Sequence, residues 1–182
     1  MKKLGAVVAL VAVAASFAFS LNMLRQVVAI GSPWFGLMIM LCLLGLIAFA
    51  RPLFLLRMPR SLREVREWET KGEIYNALRV PLYGVMLRRT PLRFLNPMVY
   101  LTRLHDPAVV MAQAESAEAA HLWAAAIFIP HMAYAAAQGW WTAFAWMMAG
   151  QIGFNLYPML HLRMARARLD QLRVRLAKRA GR

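Results

Sequence analysis

The sequence predicts an all-α integral membrane protein, folded as a helical bundle of about four transmembrane helices. Hydrophobic residues make up 61% of its 182 residues and charged residues only 16%, whereas soluble domains contain about 45–50% and about 25%. A soluble fold of this length could not bury so much apolar surface, but a lipid bilayer removes that requirement. The charged residues also lie mostly outside four apolar runs, as expected if those runs cross a membrane.

The four apolar runs justify the predicted spans one by one. Pro33 suits the first turn of the second span, and Gln138–Gly139 forms the turn of a hairpin between the third and fourth. We treat the whole chain, residues 1–182, as a single membrane domain. The predicted spans cover about residues 4–24, 34–56, 119–137 and 140–161.

The first span has two interpretations. Lys2 and Lys3 precede an apolar run, so the run is either an uncleaved anchor or a signal peptide with a small-residue cleavage site ending at Ser20. Phe17 and Phe19 crowd that site, which favours the anchor. The topology prediction is the same for the remaining spans in either case.

A basic segment, residues 57–118, separates the second and third spans. Residues 60–77 have the spacing of one helix, and residues 82–89 are typical of an interfacial segment that is apolar on one side and basic on the other. Asp106 and Pro107 predict a helix start, with the aspartate as cap and the proline at the first helical position. The segment therefore lies at the membrane surface and does not cross it.

The net charge of +14 indicates which partners to expect. The basic residues of the chain adjoin apolar spans, which favours anionic lipid headgroups over nucleic acid as a partner. The basic tail, residues 162–182, is predicted to be a helix lying on those headgroups. Because both basic regions belong on the cytoplasmic side, both termini are cytoplasmic if the first span is uncleaved.

Several kinds of chemistry are disfavoured. Cys42 is the only cysteine, so no internal disulfide forms. The Glu118-x-x-His121 spacing is half of a di-iron ligand set, but the membrane region adds only Glu115, so no metal is expected. His131, in mid-span, is interpreted as a packing residue. The Gly-x-Ser-x-Gly elbow and the phosphate-binding glycine-rich loop are absent from the sequence.

Polar residues gather near the cytoplasmic end of the hairpin. Glu118 and His121 share a helix face, and a carboxylate that orients an imidazole is a standard general base. Interfacial solvation of both side chains is the simpler alternative. In a hairpin whose turn is centred near residue 139, residues equidistant from the turn lie at similar depth in the membrane. Asn155 therefore lies at a depth similar to that of Glu118 and His121, and several arginines follow it at the cytoplasmic end. These arginines are Arg163, Arg166 and Arg168.

These residues form an ordered pattern. It comprises Glu69-x-x-Gly72-x-x-Tyr75 after Trp68, Ala117-Glu118-Ala119-Ala120-His121-Leu122-Trp123, Asn155-Leu156-Tyr157-Pro158, and Arg163-x-x-Arg166-x-Arg168-Leu169-x-Gln171-Leu172. The pattern resembles the glycosyl-diaponeurosporenoate acyltransferase family, small membrane proteins of bacterial carotenoid pigment synthesis, over about residues 68–172.

The resemblance implies transfer of a fatty acyl group to a sugar hydroxyl of a membrane lipid or carotenoid glycoside, in the bacterial inner membrane. No cofactor is expected, because the acyl donor, such as acyl-CoA, is a substrate. His121 would act as the base with Glu118 orienting it, and Asn155 would hold the sugar or the oxyanion. The three arginines would bind the donor phosphate, and Glu69 and Tyr75 would cap the site.

Two alternatives remain open on the sequence. A non-enzymatic scaffold or assembly factor that binds anionic lipid would explain the spans and the charge equally well. A different lipid-modifying enzyme, such as a methyltransferase, would depend on another donor. Alanine at His121 separates an enzyme from a scaffold, because only an enzyme would lose product while its level in the membrane held.

Overall fold

The computed structural model describes residues 2–50, 57–91, 94 and 107–180. Its regular secondary structure is all helical and contains no strand within those residues, which confirms the predicted all-α class. The helices in chain order are α1 (Lys2–Val27), α2 (Pro33–Ala50), α3 (Arg60–Arg63), α4 (Glu67–Lys71), α5 (Glu73–Ala77), α6 (Val80–Arg89), α7 (Pro107–Ala137), α8 (Trp141–Gln151), a π-helical turn (Ile152–Leu156) and α9 (Tyr157–Ala180).

The chain divides into two compact units. The first contains residues 1–56 and 120–156, and the second contains residues 57–119 and 157–182. Helix α7 therefore contributes its first turns to the second unit and its remainder to the first. Each unit has buried residues of its own.

The first unit is built around α2, α7 and α8. Glycines let these helices approach closely, since a Cβ atom on Gly36 would lie 2.5 Å from Cγ of Met147. The predicted turn at Gln138–Gly139 is confirmed, and Gly139 has the positive φ of 71° that glycine adopts without strain. The buried residues of this core are Phe35, Ile39, Met40, Phe128, Met132, Ala135, Ala143 and Met147.

Two helices are long and apolar enough to cross a membrane. They are Val7–Val27 and Ala108–Ala137, and the apolar stretch Pro33–Ile47 is shorter. Only 6% of the apolar stretch in Val7–Val27 is buried against the rest of the chain, so this helix has an apolar surface available to lipid. The arrangement with four spans stays a prediction.

The boundaries of the predicted spans differ in part from the helices. Helix α2 begins at Pro33 as expected, while residues 51–56 lie outside the described part. Helix α7 begins at Pro107, as the proline predicted, and Asp106 lies outside the described residues. The fourth predicted span, 140–161, is not one regular α-helix, because a π-helical turn separates α8 from α9.

The prediction that residues 60–77 are helical holds in part, because the helix is not continuous. Three short helices, α3, α4 and α5, occupy this stretch. Glu64 and Arg66 have extended backbone, and Gly72 adopts a left-handed φ of 77° between α4 and α5. Side chains of α9 donate hydrogen bonds to backbone carbonyl groups at the end of α3 and in the break that follows it.

In the second unit, α6 packs closely against α9. Gly84 faces His161, and the ring centroids of Tyr83 and Tyr157 are 5.6 Å apart. The Tyr157 hydroxyl donates a hydrogen bond to the carbonyl of Leu78, at 3.2 Å. These contacts attach the middle segment of the chain to the start of α9.

Alanine at Gly84 is expected to destabilise the protein. A Cβ atom there would lie 2.5 Å from Cε1 of the His161 ring, and such overpacking typically costs about 1–3 kcal/mol. A lower thermal unfolding temperature of the purified protein in detergent would reveal this cost. Gly45→Ala is the matched control, because a Cβ atom at Gly45 meets nothing within 4 Å. Equal unfolding temperatures for the two variants would contradict the close packing.

Candidate functional site

The second unit contains a set of four charged residues, three of them buried and the fourth, Arg163, with a side chain 15% exposed, which we call the Arg–Glu cluster. Its members are Glu69 of α4, Glu118 of α7, and Arg163 and Arg166 of α9. Charged groups are rarely buried unless they are paired. The cluster therefore joins three helices through charge-assisted hydrogen bonds.

Arg163 is fully engaged within the chain. Its Nε donates to Oε1 of Glu69 at 2.5 Å, and Nη2 donates to Oε2 of the same carboxylate at 3.1 Å and to the carbonyl of Glu64 at 2.7 Å. Nη1 donates to Oε1 of Glu118 at 3.0 Å and to the carbonyl of Leu62. A guanidinium has five N–H donors, and all five are used here.

Arg166 binds the other oxygen of the same glutamate. Its Nη1 lies 2.5 Å from Oε2 of Glu118, and its Nη2 donates to the carbonyl of Arg63 at 2.6 Å. Each oxygen of Glu118 thus accepts a hydrogen bond from a different arginine, and the Glu118 side chain is only 2% exposed. Glu118 consequently links two turns of α9 to α7.

Glu69 is held as a carboxylate. Burial alone would raise its pKa, but hydrogen bonds from Arg163 and from the backbone N–H of Arg66 hold the pKa below its usual value of 4.5. Tyr75 donates from its hydroxyl to Oε1 of Glu69 at 3.4 Å. Burial, together with the Glu69 charge, raises the pKa of Tyr75 to about 12, so this phenol stays protonated.

The pKa of Arg163 reflects the same balance. Burial alone would lower it, but the hydrogen bonds and charges of Glu69 and Glu118 raise it above its usual value. Arg163 therefore stays charged at every pH at which the protein is folded.

A third carboxylate lies beside the cluster. Oε1 of Glu115 is 3.9 Å from Nε of Arg63, and Oε2 is 3.9 Å from Nη2 of Arg166. Both distances exceed those of hydrogen bonds. The side chains of Arg63 and Glu115 are 35% and 22% exposed, so this edge of the cluster reaches the surface of the unit.

The structure brings together five of the predicted site residues in the second unit, namely the four members of the cluster and Tyr75. Arg168 belongs to the same unit but is exposed. His121 and Asn155 belong to the first unit. Asn155 is buried in the π-helical turn, where its Nδ2 lies 2.5 Å from Oε1 of Gln151. His121 is partly buried on α7, three residues after Glu118.

Arg63 and Glu115 were not among the predicted site residues. A sequence signal exists for Glu115, because Glu115 and Glu118 are three apart on one helix and Arg163 and Arg166 are three apart on another. Such spacing places the two carboxylates on one face of their helix and the two guanidiniums on one face of theirs. Among the described residues, no group of three or more His, Cys, Asp or Glu side chains could hold a metal ion.

The stability of the protein is expected to fall at acidic pH because of Glu69. Above its usual pKa of 4.5, Glu69 is ionised in the folded and the unfolded chain, and the ion pairs contribute fully. As the pH falls, the unfolded chain takes up a proton first. The stabilisation then decreases and is lost once the folded Glu69, with its lowered pKa, is also protonated.

Thermal unfolding followed from about pH 7 to about pH 3 measures this dependence. The Glu69→Gln variant should show a shallower decline than the wild type, while Glu64→Gln, at an exposed position, should decline like the wild type. Identical slopes for the wild type and Glu69→Gln would contradict the role of this carboxylate.

Together, these features define an all-helical protein with apolar helices of membrane-crossing length and a buried Arg–Glu cluster. The family model for glycosyl-4,4'-diaponeurosporenoate acyltransferase matches residues 59–175, and this range contains the whole cluster. The chain belongs to the glycosyl-4,4'-diaponeurosporenoate acyltransferase family, which confirms the resemblance and supports an acyltransferase role in carotenoid glycoside modification. No curated protein and no solved structure gives a significant match.

Proposed function

We propose that the protein transfers a fatty acyl group to a sugar hydroxyl of a glycosylated carotenoid or a related glycosylated lipid. The family match over residues 59–175 is the observation that carries the proposal. That range contains every residue of the sequence pattern from Glu69 to Leu172. The apolar acceptor and the fatty acyl group would both enter from the membrane, which suits a protein with exposed apolar helices.

The reaction needs a base for the acceptor hydroxyl, and we assign that role to His121. Its imidazole would take the hydroxyl proton while the hydroxyl oxygen forms a bond to the acyl carbonyl carbon. The bond between that carbon and the leaving atom of the donor then breaks, and the leaving group receives a proton. With acyl-CoA as the donor, the products are the ester and the free thiol.

Asn155 is the candidate for holding the sugar or the oxyanion. Its Nδ2 donates to Gln151, whereas its buried Oδ1 has no hydrogen-bond partner in the described part of the chain. A buried acceptor of this kind suits a sugar hydroxyl donor. The second N–H of Nδ2 would be available to a developing oxyanion.

The Arg–Glu cluster would serve the reaction mainly by positioning. Because all five donors of Arg163 already have acceptors, we assign this arginine to holding α4 and the preceding linker against α9. Arg166 and Arg168 remain the candidates for a phosphate on the donor. Glu69 and Tyr75 would fix the middle segment of the chain against α9.

We further propose that the chain lies in the bacterial inner membrane with about four spans. The two helices of membrane-crossing length and the biosynthetic family support membrane association. The basic residues of the middle segment and the tail favour a cytoplasmic position for both, next to anionic headgroups.

A non-enzymatic scaffold that binds anionic lipid is the second candidate. Exposed basic residues along α9 favour it, among them Arg168, Arg173 and Arg175. A scaffold would keep its function after loss of His121, provided that the protein still reached the membrane. Nothing in the scaffold hypothesis requires a family match to acyltransferases.

Mass spectrometry of lipid and pigment extracts tests the proposal. Cells that make carotenoid glycosides should contain a species heavier by one fatty acyl group only when the chain is expressed. A well-expressed, membrane-located protein that yields no acylated glycoside would rule out the carotenoid assignment and leave another lipid acceptor or the scaffold.

A further inference from the structure

Arg166 has N–H donors that no acceptor in the described part of the chain binds. This side chain is only 5% exposed, yet among the described residues it donates just two hydrogen bonds, to Glu118 and to the carbonyl of Arg63. Its Nε is buried and has no hydrogen-bond partner among the described residues. A buried N–H of a charged group without an acceptor is costly, so this guanidinium retains capacity for an anion.

Arg63 supplies a second guanidinium at the same place. Within the described part of the chain its guanidinium makes one ion pair, the 3.9 Å approach to Glu115, and its side chain is 35% exposed. Glu115 is also 3.9 Å from Arg166. One carboxylate therefore lies between two guanidiniums, at distances from both that are too long for hydrogen bonds. All three side chains belong to the second unit.

The charge balance decides which ligand this arrangement fits. Arg63, Arg163 and Arg166 are balanced by Glu69, Glu115 and Glu118. Displacement of Glu115 leaves one positive charge in excess. Glu115 is the carboxylate best able to move, because it is partly exposed and makes only the two long contacts.

We propose that Arg63 and Arg166 form a binding subsite for a phosphate group, with Glu115 as the internal carboxylate that the phosphate displaces. Guanidinium groups bind phosphate through two parallel N–H donors, and such charge-assisted contacts are strong and geometrically specific. Arg166 offers its free Nε and the second N–H of each Nη, and Arg63 offers its whole guanidinium.

The source of the phosphate rests on the proposed function. A soluble acyl donor such as a coenzyme A thioester would bring its phosphates to the subsite during acyl transfer. A phospholipid headgroup would instead place the second unit on the membrane surface. The same two arginines would recognise both sources, so binding measurements must separate them.

Isothermal titration calorimetry on the full-length protein in a phosphate-free maltoside detergent tests the subsite. The two probes are coenzyme A and a short-chain phosphatidylglycerol, titrated separately. We expect at least one probe to bind, and Arg63→Gln to weaken that binding about tenfold, since it removes a charge-assisted contact. Glu115→Gln should strengthen it about fivefold by removing the competing carboxylate.

Arg60→Gln is the matched control. Arg60 lies on the same short helix α3, is exposed, and contacts only Glu64 at 3.7 Å, so its loss should leave binding unchanged. Unfolding temperatures close to that of the wild type would confirm that the variants are folded. Absence of binding by both probes, equal affinities of Arg63→Gln and Arg60→Gln, or weaker binding by Glu115→Gln would each overturn the proposal.

The outcomes also separate this subsite from the proposed function. Coenzyme A binding that depends on Arg63 identifies a soluble donor, whereas Arg63-dependent binding of phosphatidylglycerol alone identifies a headgroup. Acylated product should be measured in the same variants. Arg63-dependent binding by a protein that forms no product would contradict only the acyltransferase function, and product formation without such binding would overturn only the subsite.

Discussion

Replacement of Arg163 by methionine is expected to lower the stability of the second unit by about 3–5 kcal/mol, because it leaves the buried Glu69 carboxylate without its guanidinium partner and Glu118 with Arg166 alone. The change removes the hydrogen bonds to Glu69 and Glu118 and those to the carbonyl groups of Leu62 and Glu64. The linker between α3 and α4 would then lose its attachment to α9. A lower thermal unfolding temperature and faster proteolysis near Glu64 should follow.

Two further variants show whether donor geometry or charge alone matters. Arg163→Lys keeps the charge but has only three N–H donors in place of five. Its stability should therefore lie between that of the wild type and that of the methionine variant. Arg168→Gln is the control, since Arg168 is exposed on the same helix. A methionine variant as stable as the Arg168→Gln control would contradict the central role of Arg163 in the cluster.

Replacement of His121 by alanine is expected to reduce acylated product by about 10²–10⁴-fold, the usual contribution of a positioned general base. The amount of protein in the membrane should not change, because His121 is only partly buried and lies outside the Arg–Glu cluster. Product per unit of membrane protein, measured by mass spectrometry, tests this expectation.

His131→Ala is the matched control for His121. It changes a second histidine on α7, whose ring lies 5.7 Å from Phe35 and 5.6 Å from Phe128. We expect near-normal product from this variant. Glu118 is less informative, because its loss would also break the ion pairs with Arg163 and Arg166. Equal product from His121→Ala and the control would remove His121 from the mechanism.

Much of the fold follows from local sequence signals. The all-helical class, the starts at Pro33 and Pro107, and the turn at Gln138–Gly139 all rest on apolar runs and on proline and glycine positions. The hairpin symmetry placed Glu118 and Asn155 at a similar depth, with the arginines following, and the structure pairs Glu118 with Arg163 and Arg166. The sequence did not indicate this pairing or the participation of Glu69.

The remaining features depend on long-range contacts that local patterns do not contain. Residues 60–77 have helical spacing, yet guanidiniums of α9 bind the carbonyl groups of Leu62, Arg63 and Glu64, where α3 ends and the chain becomes extended. The π-helical turn at Ile152–Leu156 was not predicted from the sequence, although Pro158, two residues after it, has no N–H to donate to the carbonyl of Phe154. Its buried Asn155 is a polar residue of the kind found where such turns occur at functional sites.

The central claim is that this chain transfers a fatty acyl group to a glycosylated carotenoid. One labelling measurement tests it most directly. Cells that make carotenoid glycosides are fed a deuterated fatty acid, with the wild-type chain, the His121→Ala variant or neither. We predict a species heavier than the starting glycoside by one deuterated fatty acyl group, and only with the wild type. Equal labelling in all three cultures, or none in any despite membrane expression, would contradict the claim.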